Sequence, residues 1–210
     1  MRPLRIAVTK GRLEGRATSL FRTMGLDCTN LVKKGRRLIL PVDDYEIVLA
    51  KAADVMTYVE HGACDIGIVG KDTIVESGAQ VYEMVDLGFG KCFFALAGKK
   101  GLDFYNGHSE KIVATKYPNV ARKFFADKDM DVNIIKIEGS VELAPLLGLA
   151  DGIVDIVETG TTIKENGLEV YEEIMPISAR VIVNIASMKL RKDEIESFLS
   201  DVNVAKEILE

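Results

Sequence analysis

Residues Asp155 to Thr162 read DIVETGTT, which puts two carboxylates, a glycine and three threonine hydroxyls into one short stretch. Gly160 lets the backbone approach a ligand closely. The amides of residues 159–162, at a helix start, can point at a phosphate, with the hydroxyls of Thr159, Thr161 and Thr162 as further donors. Asp155 and Glu158 would repel that phosphate; they suit the hydroxyls of a sugar, or a Mg²⁺ that bridges to phosphate oxygens. Together these groups point to a phosphorylated sugar with a divalent metal. A simple threonine helix cap would use the same residues, and the stretch alone does not separate the two readings.

Three other stretches carry charge where a strand gives way to a turn. TKGR places Lys10 and Arg12 around Gly11, at the end of one apolar run and the start of a helical pattern. It reads either as solvated surface charge or as an anion site. KKGRR (Lys33 to Arg37, with Arg36) has the composition of a charged hairpin tip, and GKD puts Lys71 and Asp72 after another apolar run. Tyr117, just before Pro118, is placed to stack on a base or to cover the core.

The chain of 210 residues is 48% hydrophobic and 28% charged, with a net charge of −5. An acidic balance gives no field for nucleic acid, whereas local basic clusters suit a small polyanion. No run approaches the ~20 apolar residues of a membrane span, and the charged N-terminus does not read as a signal peptide. Cys28, Cys64 and Cys92 are isolated, as reduced thiols of a cytoplasmic protein are. His61 and His108 lack ligand-spaced partners, so zinc held by the protein is not expected.

Short β-type runs alternate with helical patterns: LRIAVT, RLILPV, EIVLAK and DIGIVG in the first half; CFFALAG, KIVATK, VNIIKI and GIVDIV in the second. SVELAPLLGLA reads as a helix and ARVIVNIAS as extended, and the last twenty residues have helical apolar spacing. The pattern predicts an α/β fold with mixed, mostly parallel sheets. About a dozen strands exceed what one compact sheet holds, so two lobes are expected. The boundaries read as 1–88 plus 179–210 for the first and 89–178 for the second, with short crossing strands in place of a linker. DIGIVG and DIVETG share D-I-x-x-x-G, a faint internal echo.

The region EGSVELAPLLGLADGIVDIVETGTTIKENGLEV resembles the signature of the ATP phosphoribosyltransferase family, through Glu138, Gly139, Ser140, Glu142, Asp151, Asp155 and Thr159 to Thr162. AVTKGRL and DIGIVGKD are similar to that family too, in the right order. The resemblance implies two lobes like those of type II periplasmic binding proteins, with the active site in the cleft between them. It implies that Glu138, Gly139, Asp155, Glu158, Thr159, Gly160, Thr161 and Thr162 bind phosphoribosyl diphosphate. It further implies that Lys10, Arg12, Arg36, Asp72 and Tyr117 attend ATP, that Lys10, Arg12 and Asp155 are catalytic, and that Mg²⁺ enters on substrate phosphates.

The implied reaction is attack of adenine N1 of ATP on ribose C1, with release of diphosphate, opening histidine biosynthesis. N1 already has a lone pair, so the lack of a Ser/His/Asp or Cys/His arrangement is no objection. Phosphoribosyltransferases of Rossmann-like type usually carry two adjacent acids before the loop, but Asp155 and Glu158 are separated by IV. A solute-binding module is the rival from another class. The chain stops after the last amphipathic helix, so the resemblance is to the short form. That form works as a homodimer within a larger hetero-oligomer, with a regulatory subunit similar to histidyl-tRNA synthetase.

Overall fold

The computed structural model describes residues 2–107 and 110–209; His108 lies outside them. The chain divides into two compact units, Met1–Gly90 with Ser178–Glu210, and Lys91–Ile177. The first contains, in chain order, β1 (Leu4–Thr9), α1 (Arg12–Thr23), α2 (Thr29–Val32), β2 (Ile39–Val42), β3 (Tyr45–Ala50), α3 (Ala52–Glu60), β4 (Ile66–Gly70), α4 (Lys71–Ser77) and β5 (Tyr82–Asp86). The second contains β6 (Cys92–Lys99), β7 (Lys111–Thr115), α5 (Pro118–Ala126), β8 (Val132–Lys136), α6 (Leu143–Leu146), β9 (Gly152–Val157), α7 (Thr161–Glu165) and β10 (Leu168–Ile177). The chain then returns to the first unit as β11 (Ala179–Val183), α8 (Ile185–Leu190) and α9 (Lys192–Leu209).

The sheets run β2-β3-β1-β4-β11-β5 and β10-β6-β9-β7-β8. Setting β2 aside, they share one plan, β3-β1-β4-β11-β5 matching β8-β7-β9-β6-β10. In each, the first three of these strands are parallel and the last two ladders are antiparallel. The sheets are thus mixed, with a parallel core extended by antiparallel strands. The fourth strand of each sheet, β11 or β6, is supplied by the chain as it arrives from the other unit. This exchange accounts for the missing Pro- or Ser-rich linker. Within the first unit, the leaving and returning segments pair through Leu87 N to Ala179 O and Ala179 N to Phe89 O, both 2.9 Å.

The shared plan corrects the register of the sequence echo. DIGIVG and DIVETG equate Asp65 with Asp155, but the structural counterpart of Asp65 is Asp151. Each precedes the third parallel strand and accepts from a backbone amide of the central one: Arg5 N to Asp65 at 2.9 Å, Ile112 N to Asp151 at 2.8 Å. A short motif had matched across the wrong four residues because both strands are apolar runs with an acid nearby.

Apolar burial follows the strand pattern. Ile6, Val8, Ile47, Ile66, Ile68, Val181 and Val183 face α1 and α9, whose Leu20, Phe21, Phe198 and Val202 close one side of the first sheet. The opposite side packs Ala7, Val69 and Ile182 against Val55, Met56 and Val59 of α3. In the second sheet Ala95, Ala97, Ala114, Ile153 and Val157 pack against Val141, Ala144 and Ile163.

Several local expectations change. KKGRR is not a hairpin tip; it precedes β2, and the hairpin turn is Asp43–Asp44, with Asp43 at φ 47°. Lys34 instead pairs with Glu14 in the first turn of α1. Of SVELAPLLGLA only Leu143–Leu146 is helical. Pro145, with no amide to donate, is confined to the first turn, and Gly148 at φ 73° turns the chain out of the helix, so the pattern cannot propagate. ARVIVNIAS ends as a strand at Val183, because the Asn184 side chain accepts from Ser187 N at 2.8 Å and starts α8.

Candidate active site

In open α/β sheets, ligands gather where the carboxyl ends of adjacent strands send their connections in opposite directions. In the first sheet that point lies between β1 and β4. The connection after β1 leads to β3 on one side, and the one after β4 leads outward on the other. Thr9 ties the two strand ends together, its hydroxyl donating to Ile68 O at 3.1 Å. The turn after β1 carries exposed Lys10 and Arg12; the turn after β4 carries half-buried Asp72, whose carboxylate folds back over Gly70 and accepts from Thr73 Oγ1 at 3.3 Å. The Lys34–Glu14 pair leans the loop bearing exposed Arg36 on the same turn of α1. Lys10, Arg12, Arg36 and Asp72 therefore belong to one edge of one unit.

The matching point in the second sheet lies between β7 and β9. Three strand ends stand in a row there: Glu138–Gly139 after β8, Lys116–Tyr117 after β7, and Glu158 to Thr162 after β9. Tyr117 sits in this unit, edge-on to Phe94 with ring centroids 4.9 Å apart. It is thus not brought together with the other residues of the ATP set within one unit. Glu138 is exposed and ion-paired with Lys136 at 2.7 Å; that bond and charge hold its carboxyl below the usual range.

The helix-cap reading of DIVETGTT can now be weighed. The N-cap of α7 is Gly160, at φ 72°, and no side chain caps the helix. Thr159 Oγ1 instead pairs with Thr161 Oγ1 at 2.9 Å and reaches the Thr161 amide only at 3.4 Å. The first-turn amides, which every helix leaves without internal partners, lie beside these two hydroxyls. The same device recurs: α1 begins on Gly11 and α4 on Gly70, again with no capping side chain.

Asp155 lies on the strand that leads into this turn, between buried Ile153 and Val157 on their side of the sheet and opposite small Ala95. Burial pushes its carboxyl up to about 6, with Glu142 nearby adding to the rise, while the Ile156 amide and Lys116 oppose it. A raised carboxyl holds its proton more tightly folded than unfolded. Ionisation therefore destabilises the fold as pH climbs from about 4 to about 6, and the loss persists above. Asp155→Asn should be more stable than wild type by about 2 kcal/mol at pH 8, with the difference closing toward pH 4. Urea unfolding at the two pH values measures it, and equal stability at pH 8 would refute the burial argument. The same variant should lose activity, as expected when a residue is kept for function against stability.

Sequence reasoning left three residues at this edge without a role. Glu142 lies close enough to act on Asp155. Thr115 is fully buried, and its hydroxyl donates to Val154 O at 2.6 Å. Lys116 follows it. The signal was the recurrence of Thr-Lys at 9–10 and 115–116, visible in the sequence but without meaning until both pairs were seen to follow the central parallel strand of a sheet.

Helices that start on bare glycines, beside hydroxyls and carboxylates at the carboxyl edges of two parallel cores, define a two-lobed α/β protein for phosphorylated ligands. Comparison with known proteins makes this specific. The ATP phosphoribosyltransferase (HisG) family model matches residues 51–204. An ATP phosphoribosyltransferase of Clostridium kluyveri is 58% identical over 205 residues, 97% of this chain and 94% of the relative. The solved ATP phosphoribosyl transferase (HisG:HisZ) complex from Thermotoga maritima contains a chain 34% identical with a TM-score of 0.84, covering 97% of this chain and 98% of that one. The periplasmic aliphatic sulphonate binding protein SsuA from Escherichia coli matches with a TM-score of 0.58 at 11% identity, over 98% of this chain and 73% of that one, which is a likeness of fold alone. The chain belongs to the ATP phosphoribosyltransferase family. Its activity is that of a pentosyltransferase, joining phosphoribosyl to ATP in the first step of histidine biosynthesis.

Proposed function

We propose that the edge after β9 holds phosphoribosyl diphosphate, and that the edge after β1 and β4 holds the phosphates of ATP. The observation that carries this is the glycine-started, uncapped turn of α7 directly after Asp155. Gly160, Thr161 and Thr162 offer amides and hydroxyls to the 5-phosphate, with Thr159 joined to Thr161. Asp155 and Glu158 accept from ribose hydroxyls, and Glu138 and Gly139 line the same edge. Lys10, Arg12 and Arg36 oppose the charge of the triphosphate, and Asp72 stands beside them. Tyr117, packed against Phe94, is assigned to covering the second core.

Adenine N1 displaces diphosphate at ribose C1. The N1–C1 bond forms as the C1–O bond to diphosphate breaks, and the leaving group departs with the bonding pair. The protein's part is positioning and electrostatic stabilisation rather than a covalent intermediate. Among the described residues no group of three or more His, Cys, Asp or Glu side chains is placed to hold a metal alone. Mg²⁺ commonly binds through one or two carboxylates plus substrate phosphates; Asp155 and Glu158 are the carboxylates at hand. When bound, it would neutralise charge on the departing diphosphate.

The Thermotoga relative was solved as a HisG:HisZ complex. We infer a regulatory partner of that kind here, with this chain as a homodimer inside a hetero-oligomer in the cytoplasm. No helix among the described residues is long and apolar enough to cross a membrane.

Changing Lys10 and Arg12 together to Ala tests the first edge. The expected result is a fall of about a hundredfold in kcat/KM for ATP, or ~2.7 kcal/mol. Stability should move by no more than about 0.5 kcal/mol, as for exposed side chains. Wild-type kinetics in the double variant would return both residues to the solvated surface.

A further inference from the structure

Each sheet ends its central parallel strand in Thr-Lys: Thr9–Lys10 on β1 and Thr115–Lys116 on β7. Each threonine hydroxyl donates to a carbonyl of the neighbouring parallel strand, Ile68 O at 3.1 Å in the first and Val154 O at 2.6 Å in the second. Each of those carbonyls stands three residues beyond the aspartate that accepts from the central strand's amide, Asp65 or Asp151. The two threonines differ by one step in register: Ile68 lies across from Val8 in the first sheet, whereas Val154 lies across from Thr115 itself in the second. Lys10 and Lys116 thus leave the same edge of two similar sheets, one residue apart in register.

Thr115 does more than Thr9. Its hydroxyl is fully buried and also accepts from the Tyr117 amide at 2.8 Å. The backbone is therefore held on both sides of Lys116, and held to the residue just before Asp155. A solvated surface lysine needs no such anchoring of its own turn. The Lys116 side chain is exposed, and among the described residues it forms no ion pair; its ammonium lies 5.9 Å from the Tyr117 ring centroid. Lys136, one strand over, is already paired with Glu138.

We propose that Lys116 binds a phosphate group of phosphoribosyl diphosphate, and that Thr115 is the positioning residue that holds it there. The charge balance of the edge calls for such a cation. Glu138, Glu142, Asp155 and Glu158 stand at this end of the sheet, and the substrate brings a phosphate and a diphosphate. Amides and hydroxyls alone would leave that repulsion unanswered. The charge of Lys116 is felt at both Asp155 and Glu138, where it favours the ionised carboxyl. The inference rests on the reading of the Asp155–Thr162 turn as the phosphoribosyl diphosphate site.

The test is calorimetric titration of phosphoribosyl diphosphate with Mg²⁺ into the full chain, for wild type, Lys116→Gln, Lys116→Arg, Thr115→Ser and Thr115→Val. Lys116→Gln should weaken binding by about tenfold, the worth of one charge-assisted hydrogen bond. Lys116→Arg should recover most of it. Thr115→Ser, which keeps the hydroxyl, should bind like wild type, and Thr115→Val should fall toward Lys116→Gln. Steady-state kinetics should show the Lys116→Gln loss in KM for phosphoribosyl diphosphate, with KM for ATP unchanged. If wild type binds and Lys116→Gln binds equally well, this proposal fails while the assignment of the turn stands. If wild type does not bind phosphoribosyl diphosphate at all, both fail.

Discussion

Gly160→Val is expected to weaken phosphoribosyl diphosphate binding by at least about a hundredfold, ~2.7 kcal/mol, in a protein that still folds. Gly160 sits at φ 72°, where an L-residue is strained by about 1–2 kcal/mol and a β-branched one by more. The space above it is open, since an added Cβ would meet nothing closer than Val157 Cγ1 at 3.8 Å. The protein itself therefore does not exclude the side chain. The side chain would fill the ground that a phosphate must occupy, and relief of the backbone strain would turn the amides away. Calorimetry on the variant measures the loss, and unfolding in urea checks that the fold persists. Unchanged affinity would reduce DIVETGTT to an ordinary helix start.

Asp65→Ala is expected to destabilise the protein by about 3–5 kcal/mol, as removing one partner of a buried ion pair does. Asp65 is 1% exposed and accepts from Arg2 at 2.7 and 3.0 Å, Arg5 N at 2.9 Å, Ser187 at 2.8 Å and Arg191 at 3.3 Å. Burial alone would raise its carboxyl, but the bonds from Arg2, the Arg5 amide and Ser187 outweigh that and hold it below the usual range. A depressed carboxyl stabilises the fold above its unfolded value, and the contribution is lost as pH falls through the folded one. The wild type should thus lose stability in acid through this group, and the variant should not. Because Asp65 lies at the amino end of β4, substrate affinity of the folded variant should match wild type. A loss under about 1 kcal/mol would mean that the cluster is no lock.

That cluster shows what the sequence hides. Its members come from residues 2, 5, 65, 187 and 191, and nothing in local pattern links an arginine at the start of a chain to one near its end. The strands of both parallel cores were legible because IGIVG is apolar throughout and GIVDIV is apolar but for Asp155, as strands covered on both faces are. β5 was not legible: in Tyr82–Asp86 only Val85 is buried, so an edge strand left no apolar run to read. The helical reading of SVELAPLLGLA failed for the opposite reason. Its leucines looked like a buried face, but Leu143, Leu146, Leu147 and Leu149 are all exposed, around a helix that Pro145 and Gly148 keep to one turn. At the candidate site the residue types of DIVETGTT pointed to phosphate and sugar. What decided against a cap was the φ of one glycine and the missing capping bond, which spacing does not carry.

The most direct measurement is to mix the chain, together with its regulatory subunit, with phosphoribosyl diphosphate, ATP and Mg²⁺, and to follow diphosphate and nucleotide together by mass. Diphosphate should appear only when ATP is present, one for one with a nucleotide that carries a second ribose phosphate on adenine N1. Diphosphate released without ATP, or both substrates left intact with the partner present, would contradict the account.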